Sequence, residues 1–209
     1  LRTTVEEYYF EFTGSVHAVS DQMDLKSESL IALADVPQGR GGSGAKLAPS
    51  ELDSIRQIIA RDDVTITQSG KTINADEAEF FPREQLVNLS GAASIDMKGA
   101  YLSGETIRSK SGEIEIAGTK AAGRAQMILI ETGGLGILGA SALTSDTIIL
   151  ADTITMREQP TENHFLFKGS VEVMSGAVQM QSARMSIISN KVDQPKTTEE
   201  DLGLKVGEV

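Results

Sequence analysis

A repeated stretch constrains the fold more than any other feature of the sequence. Its four copies align without gaps over residues 14–30, 62–78, 91–107 and 169–185. Each copy opens with Gly or Asp, continues with two apolar residues at alternate positions, and passes through a polar or glycine-containing turn to a single aliphatic residue. The next small residue lies at the same distance from the opening residue in every copy: Ser27, Ala75, Gly104 and Ser182. An internal repeat of this kind decides the architecture before any single residue does.

The apolar residues of the repeat alternate, and each copy breaks that alternation once. In the copy at 62–78, Ile73 and Ala75 share one phase, whereas Ala78 and Phe80 have the other. A strand has a period of two residues, so a slip beside a small side chain indicates a β-bulge or a sharp bend. Bends at equivalent points curl a sheet over on itself. We therefore predict an all-β fold, a partly open roll of long antiparallel strands with an aliphatic interior.

Three segments outside the repeat carry separate predictions. Residues 5–19 alternate as an extended strand, and residues 86–97 alternate as a half-buried strand. Residues 51–60 are compatible with a short helix, or with a helical turn followed by a strand from Arg56. The alternation continues through Ile59 into the repeat, which favours the strand.

The domain organisation is predicted to be simple. Residues 1–190 form a single β-roll domain, interrupted by a mobile loop at 37–50 that is rich in Gly, Ser and Pro. The glycine-rich segment 126–142 departs from the repeat, and its pattern is compatible with a strand, a bulge or an extra loop. Residues 191–209 are a polar, acidic tail or the start of a repeat that this chain lacks.

Composition excludes several classes of function. The net charge is −11 and no run of Lys or Arg occurs, so we predict no nucleic-acid partner. No stretch approaches the roughly 18 consecutive apolar residues of a membrane-spanning helix. The chain has no cysteine and no tryptophan, and aromatic residues make up 4% of it, so we expect an aliphatic core without disulfides.

No group of residues matches a known catalytic or metal-binding pattern. The two histidines have no neighbour that marks either of them as a general base. Asp76, Glu105 and Asp152 follow the small residue of the repeat, where acidic side chains commonly cap turns and protect sheet edges. The glycine-rich segment 39–46 lacks the Lys-Ser/Thr ending of a phosphate-binding loop. We therefore predict no enzyme activity, no metal site and no cofactor.

The repeat resembles a known family. Its G-x-V opening and its ADEAEFF-type centre, most evident at 14–30, 59–95 and 147–173, resemble the OstA-like repeat of the lipopolysaccharide-transport (Lpt) periplasmic proteins. The likeness covers most of residues 8–188. It implies a β-jellyroll, or "taco", whose hydrophobic interior carries lipid acyl chains. It also implies that open edge strands join end to end into a bridge across the periplasm.

The resemblance implies a non-catalytic lipid carrier in the periplasm, with any membrane tether supplied by a segment absent from this chain. The expected partners are lipopolysaccharide or a similar amphipathic lipid, and other Lpt-type proteins or a second copy joined by edge-strand addition. The apolar interior positions expected to bind acyl chains are Val16, Val64, Ile66, Ile73, Phe80, Leu89, Ile95, Leu102, Ile149, Phe167, Val171, Val173 and Met180. The alternative is a structural or assembly scaffold with a solid core that binds protein or glycan at its sheet edges. A hollow interior favours the carrier.

Overall fold

The structure is a computed structural model. It describes residues 2–3, 7–20, 23–35, 54–119, 123–130, 146–176 and 178–190; the predicted loop at 37–50 and the predicted tail at 191–209 lie outside them. Strands account for most of these residues. They are Arg2–Thr3 (β1), Glu7–Val19 (β2), Met23–Asp35 (β3), Ile55–Gln68 (β4), Lys71–Phe81 (β5), Leu86–Met97 (β6), Ala100–Lys110 (β7), Glu113–Ala117 (β8), Ala125–Leu129 (β9), Thr147–Ala151 (β10), Thr153–Glu158 (β11), Glu162–Ser175 (β12) and Val178–Asn190 (β13).

All the strands of the described residues belong to one antiparallel sheet, and from β1 to β8 each strand pairs with the next one in the sequence. β8 and β9 pair with opposite ends of β7, so they are the two halves of one interrupted strand. β11 pairs with β8 and β10 pairs with β9, so β10 and β11 are likewise the two halves of one strand. One edge of β12 pairs with both of these halves, and the other edge pairs with β13. The prediction of an all-β fold of long antiparallel strands is confirmed.

The strand predictions outside the repeat are also confirmed. β2 fills most of the segment 5–19, and β6 coincides with 86–97. β4 begins at Ile55, so the segment from Arg56 is a strand rather than a helix. A short 3-10 helix, Pro82–Glu84, joins β5 to β6.

Each copy of the repeat bends at two consecutive residues with positive φ. These pairs are Gly14–Ser15, Asp62–Asp63, Gly91–Ala92 and Gly169–Ser170. The sheet register shifts at each pair because the bent strand carries one residue more than its neighbour, which is the geometry of a β-bulge. The shift lies beside the small residue, as the alternation predicts. The extra residue, however, belongs to the neighbouring strand, at the opening residue of the repeat.

The bends divide the sheet into two layers that face each other. Layer A comprises residues 7–13, 29–35, 55–61, 77–81, 86–90, 106–110, 113–117, 153–158, 162–168 and 184–190. Layer B comprises residues 16–19, 23–26, 64–68, 71–74, 93–97, 100–103, 125–129, 147–151, 171–175 and 178–182. The end of each layer that is remote from the bends is called its tip, and the gap between the two tips is called the mouth.

The core between the layers is built from two rows of side chains in register. Ladder A consists of Phe12, Leu30, Ala60, Ala78, Leu89, Ile107, Ile116, Ile154, Phe167 and Met185. Ladder B consists of Ala18, Leu25, Ile66, Ile73, Ile95, Leu102, Met127, Ile149, Val173 and Met180. Every long or interrupted strand supplies one member to each ladder, and all the members except the exposed edge residue Phe12 belong to one continuous apolar interior.

Two bend glycines lie directly against carboxylates of the preceding strand. A Cβ added at Gly91 would clash with the Asp76 side chain, and one added at Gly169 would clash with Asp152. A Cβ at Gly14 would meet no atom within 4 Å. The first two glycines are therefore needed for close approach as well as for their backbone conformation.

We expect Gly91→Ala to destabilise the protein more than Gly14→Ala. Gly14→Ala should lower the free energy of unfolding by roughly 1–2 kcal/mol, because an L-residue then adopts a left-handed conformation. Gly91→Ala should lower the free energy of unfolding by the same amount and by roughly 1–3 kcal/mol more, because of the clash with Asp76. Asp62→Gly should instead raise the free energy of unfolding, since Asp62 has a φ of 63°. Urea denaturation measures all three, and equal losses for the two alanine variants would contradict the close-approach argument.

Candidate functional site

An apolar cavity of about 300 Å³ lies between the two layers at the β2–β6 end of the roll. Layer B supplies one wall through Ala18, Met23 and Leu25. Layer A and the adjoining 3-10 turn supply the remaining lining residues, which are Leu30, Ile58, Phe80, Phe81, Pro82, Gln85, Leu86 and Val87. Of the described residues that line the cavity, Gln85 alone is polar, so the space suits a hydrocarbon ligand better than a polar one.

Side-chain size varies along ladder A, but the cavity does not lie at its alanines. β4 and β5 contribute Ala60 and Ala78, whereas β11 and β12 contribute Ile154 and Phe167. All four are fully buried, at 0% exposure, and none of them lines the cavity. Among the described residues, the open space therefore lies beside the ladder members of β3, Leu25 and Leu30, and the ladder members of β11 and β12 are enclosed by their neighbours.

The structure places all the sequence-predicted lipid-binding residues in the interior. The buried ones are Val64, Ile66, Leu89, Ile95, Leu102, Ile149, Phe167, Val171 and Val173. The partly buried ones, which pack against the same core, are Val16, Ile73, Phe80 and Met180. Of the whole set only Phe80 lines the cavity. Contact between these residues and a lipid stays a prediction.

Sequence reasoning missed most of the cavity lining. Leu25 and Leu30 occupy the positions of the repeat that correspond to Ile73 and Ala78, so the alignment of the copies marks them as inward. Ile58 and Val87 face inward because they lie two residues from ladder A along their strands. Only the relative placement of the two layers brings these residues together, and no pattern within one strand contains that information.

The charged groups lie on the outer face and around the rim, apart from the cavity. A hydrogen bond from His17, 3.0 Å away, lowers the pKa of the Asp24 carboxyl. A hydrogen bond to Glu77 raises the pKa of Arg61. Hydrogen bonds from Arg124 and Gln179 lower the pKa of Glu172. None of these seven residues lines the cavity.

In the part of the chain that the structure describes, no group of three or more His, Asp or Glu side chains is arranged to hold a metal ion. Within the same residues, no helix has the length and apolar character needed to span a membrane.

We expect Leu102→Ala and Leu30→Ala to differ in their effect on stability. Leu102 is fully buried in the packed interior, so its truncation should lower the free energy of unfolding by about 3–5 kcal/mol. Leu30 already borders the cavity and loses fewer contacts, so we expect about 2 kcal/mol or less. Urea denaturation of the two variants measures this difference. Equal losses would mean that the β2–β6 end is as closely packed as the rest.

Comparison with known proteins gives a structural similarity only. No family model matches the chain, and no curated protein matches it. Among solved structures, the chain is similar to LptH, the LptA-homologous periplasmic component of the lipopolysaccharide transport device of Pseudomonas aeruginosa. The two share 12% sequence identity with a TM-score of 0.45, over 62% of this chain and 87% of LptH.

Proposed function

We propose that the protein is a non-catalytic carrier that binds the acyl chains of lipopolysaccharide, or of a similar amphipathic lipid, between its two layers. The observation that carries the proposal is the apolar cavity of about 300 Å³ between Met23 and Leu25 of layer B and Ile58 and Val87 of layer A. The lipid class and the periplasmic location rest on the sequence resemblance to the OstA-like repeat.

The chemistry of the cavity supports binding through hydrocarbon rather than through a head group. Each buried methylene contributes roughly 0.8 kcal/mol, and the lining residues carry no charge that would pair with a phosphate or sugar. The head group would stay in water at the mouth. A volume near 300 Å³ is at the lower end for ligand pockets, which fits one acyl chain rather than several.

The sheet edges support assembly with further copies or with other Lpt-type proteins. Within the described residues, β13 pairs with β12 alone, and β1 covers only Tyr8 and Tyr9 of β2. Large exposed apolar side chains lie on these edges: Phe12 is 52% exposed, Val19 69% and Ile188 62%. Strand addition would use the unpaired backbone groups of an edge and cover such side chains.

A structural scaffold is the second candidate function. The close packing from β8 to β13, with Ile116, Ile154 and Phe167 at 0% exposure, favours a solid body over a conduit in that half. In this case the edges, rather than the interior, would bind the partner. Lipid capture separates the two candidates.

Photocrosslinking tests the carrier directly. A photoreactive amino acid at Ile58 or Val87 should capture lipid in cells, because both side chains line the cavity. The same amino acid at the exposed residue Thr67 is the control and should capture none. Mass spectrometry of the adducts identifies the lipid. Absence of lipid at both cavity positions, with the protein folded, would contradict the carrier and leave the scaffold.

A cavity-filling variant supplies an independent test. Ala18→Phe places an aromatic ring in the cavity from β2, so we expect a fluorescent fatty acid to bind at least about tenfold more weakly. Ala183→Phe makes the same change at an exposed position of β13 and should leave binding unchanged. Fluorescence titration measures both affinities, and an equal effect of the two variants would show that the probe binds elsewhere.

A further inference from the structure

One ion pair joins the tips of opposite layers. Nζ of Lys71 lies 2.5 Å from Oε1 of Glu158. Lys71 begins β5 at the tip of layer B, and Glu158 ends β11 at the tip of layer A. The contact therefore crosses the mouth. Each of the other ion pairs found between described residues joins groups on, or directly beside, the same layer, so none of them crosses the mouth.

Tight turns hold both partners in place. Ser69 and Gly70, which precede Lys71, both have positive φ, as in a two-residue hairpin of type I′. The backbone N–H of Glu158 donates to the carbonyl oxygen of Gly112, which lies in a second turn of this kind. The position of the pair is thus set by the backbone as well as by the side chains.

The ion pair lies beyond the cavity along the roll. The cavity extends from layer B of β2 and β3 to layer A of β3–β6. In layer A, β7 and β8 separate it from the strand of Glu158, and their ladder residues Ile107 and Ile116 are buried. A hydrocarbon chain that extends from the cavity towards β12 must displace these core side chains and part the two layers, and Lys71 and Glu158 hold the layers together at the mouth there.

We propose, building on the proposed function, that the Lys71–Glu158 ion pair is a clasp that determines how many acyl chains the interior accepts. While it is closed, the cavity takes one chain. A lipid with several chains binds only when the clasp opens and the layers part beyond β5. The side chains are 29% and 36% exposed, and partly exposed ion pairs stabilise weakly, so the clasp opens without unfolding the sheet.

The chain has no cysteine, so a reversible lock is simple to install. In the double variant Lys71→Cys/Glu158→Cys, a bis-methanethiosulfonate linker replaces the ion pair with a covalent bridge that reductant removes. Two probes are titrated, a fluorescent fatty acid and a lipid A with several acyl chains.

The locked protein should bind the fatty acid with an affinity within about twofold of the unmodified chain, and lipid A at least about tenfold more weakly. Reduction should restore lipid A binding. Glu158→Gln should speed lipid A association, and the charge swap Lys71→Glu/Glu158→Lys should return it to the original rate. Glu113→Gln, which breaks the Arg157 pair between adjacent strands of layer A, is the matched control and should change neither probe.

Two contrary outcomes are distinguishable. If both probes bind and locking changes neither affinity, the clasp is wrong and the carrier function stands. If neither probe binds to the locked, reduced or unmodified protein, the carrier function is wrong and the clasp falls with it.

Discussion

The structure depends on a pair of consecutive residues in the left-handed backbone conformation, repeated once in each copy of the repeat. Without that pair, a strand of a dozen or so residues would run straight and the sheet would present two open faces. With it, each hairpin bends at the same level, and both halves turn one face inwards. The carboxylates of Asp76 and Asp152 lie against two of the bend glycines, which shows how closely neighbouring strands approach there.

The bend also explains why a chain without disulfides and with few aromatic residues has a continuous core. Because every strand bends at an equivalent point, inward residues stay in register from β2 to β13 and form ladders A and B. Aliphatic side chains in such rows bury each other on both sides and across the gap between the layers. The backbone therefore fixes the spacing of the layers, and side-chain volume decides whether the space is filled.

Much of this was predictable from the sequence. The copies of the repeat predict the strands, the level of the bends and the inward residues, because those features are local and periodic. The strand that bulges was not predictable from the alternation slip, since the slip at Ala75 is compatible with an extra residue on either of two paired strands. Positive φ at Asp62 is also concealed by the residue itself, and only the glycines at the same position of the other full copies indicate it.

The cavity and the clasp belong to a different level of organisation. Met23 meets Ile58 and Val87, and Lys71 meets Glu158, only because one layer lies across the other with an offset of several strands. Such an offset follows from the accumulated twist of the sheet. Sequence patterns describe each strand and its neighbours, and they contain no direct record of which distant tips face each other.

The one-residue-per-strand arrangement of the ladders has a consequence for how such a protein can change. Strands in a sheet lie roughly 4.8 Å apart, and each strand contributes its own residue to a ladder. The width of the interior is therefore set separately at each strand along the roll. Exchanging Ala78 or Ile154 for a residue of another size would widen or narrow the interior at one strand and leave the bends untouched. The same backbone can thus be solid, hollow or graded along its axis, and this chain is graded.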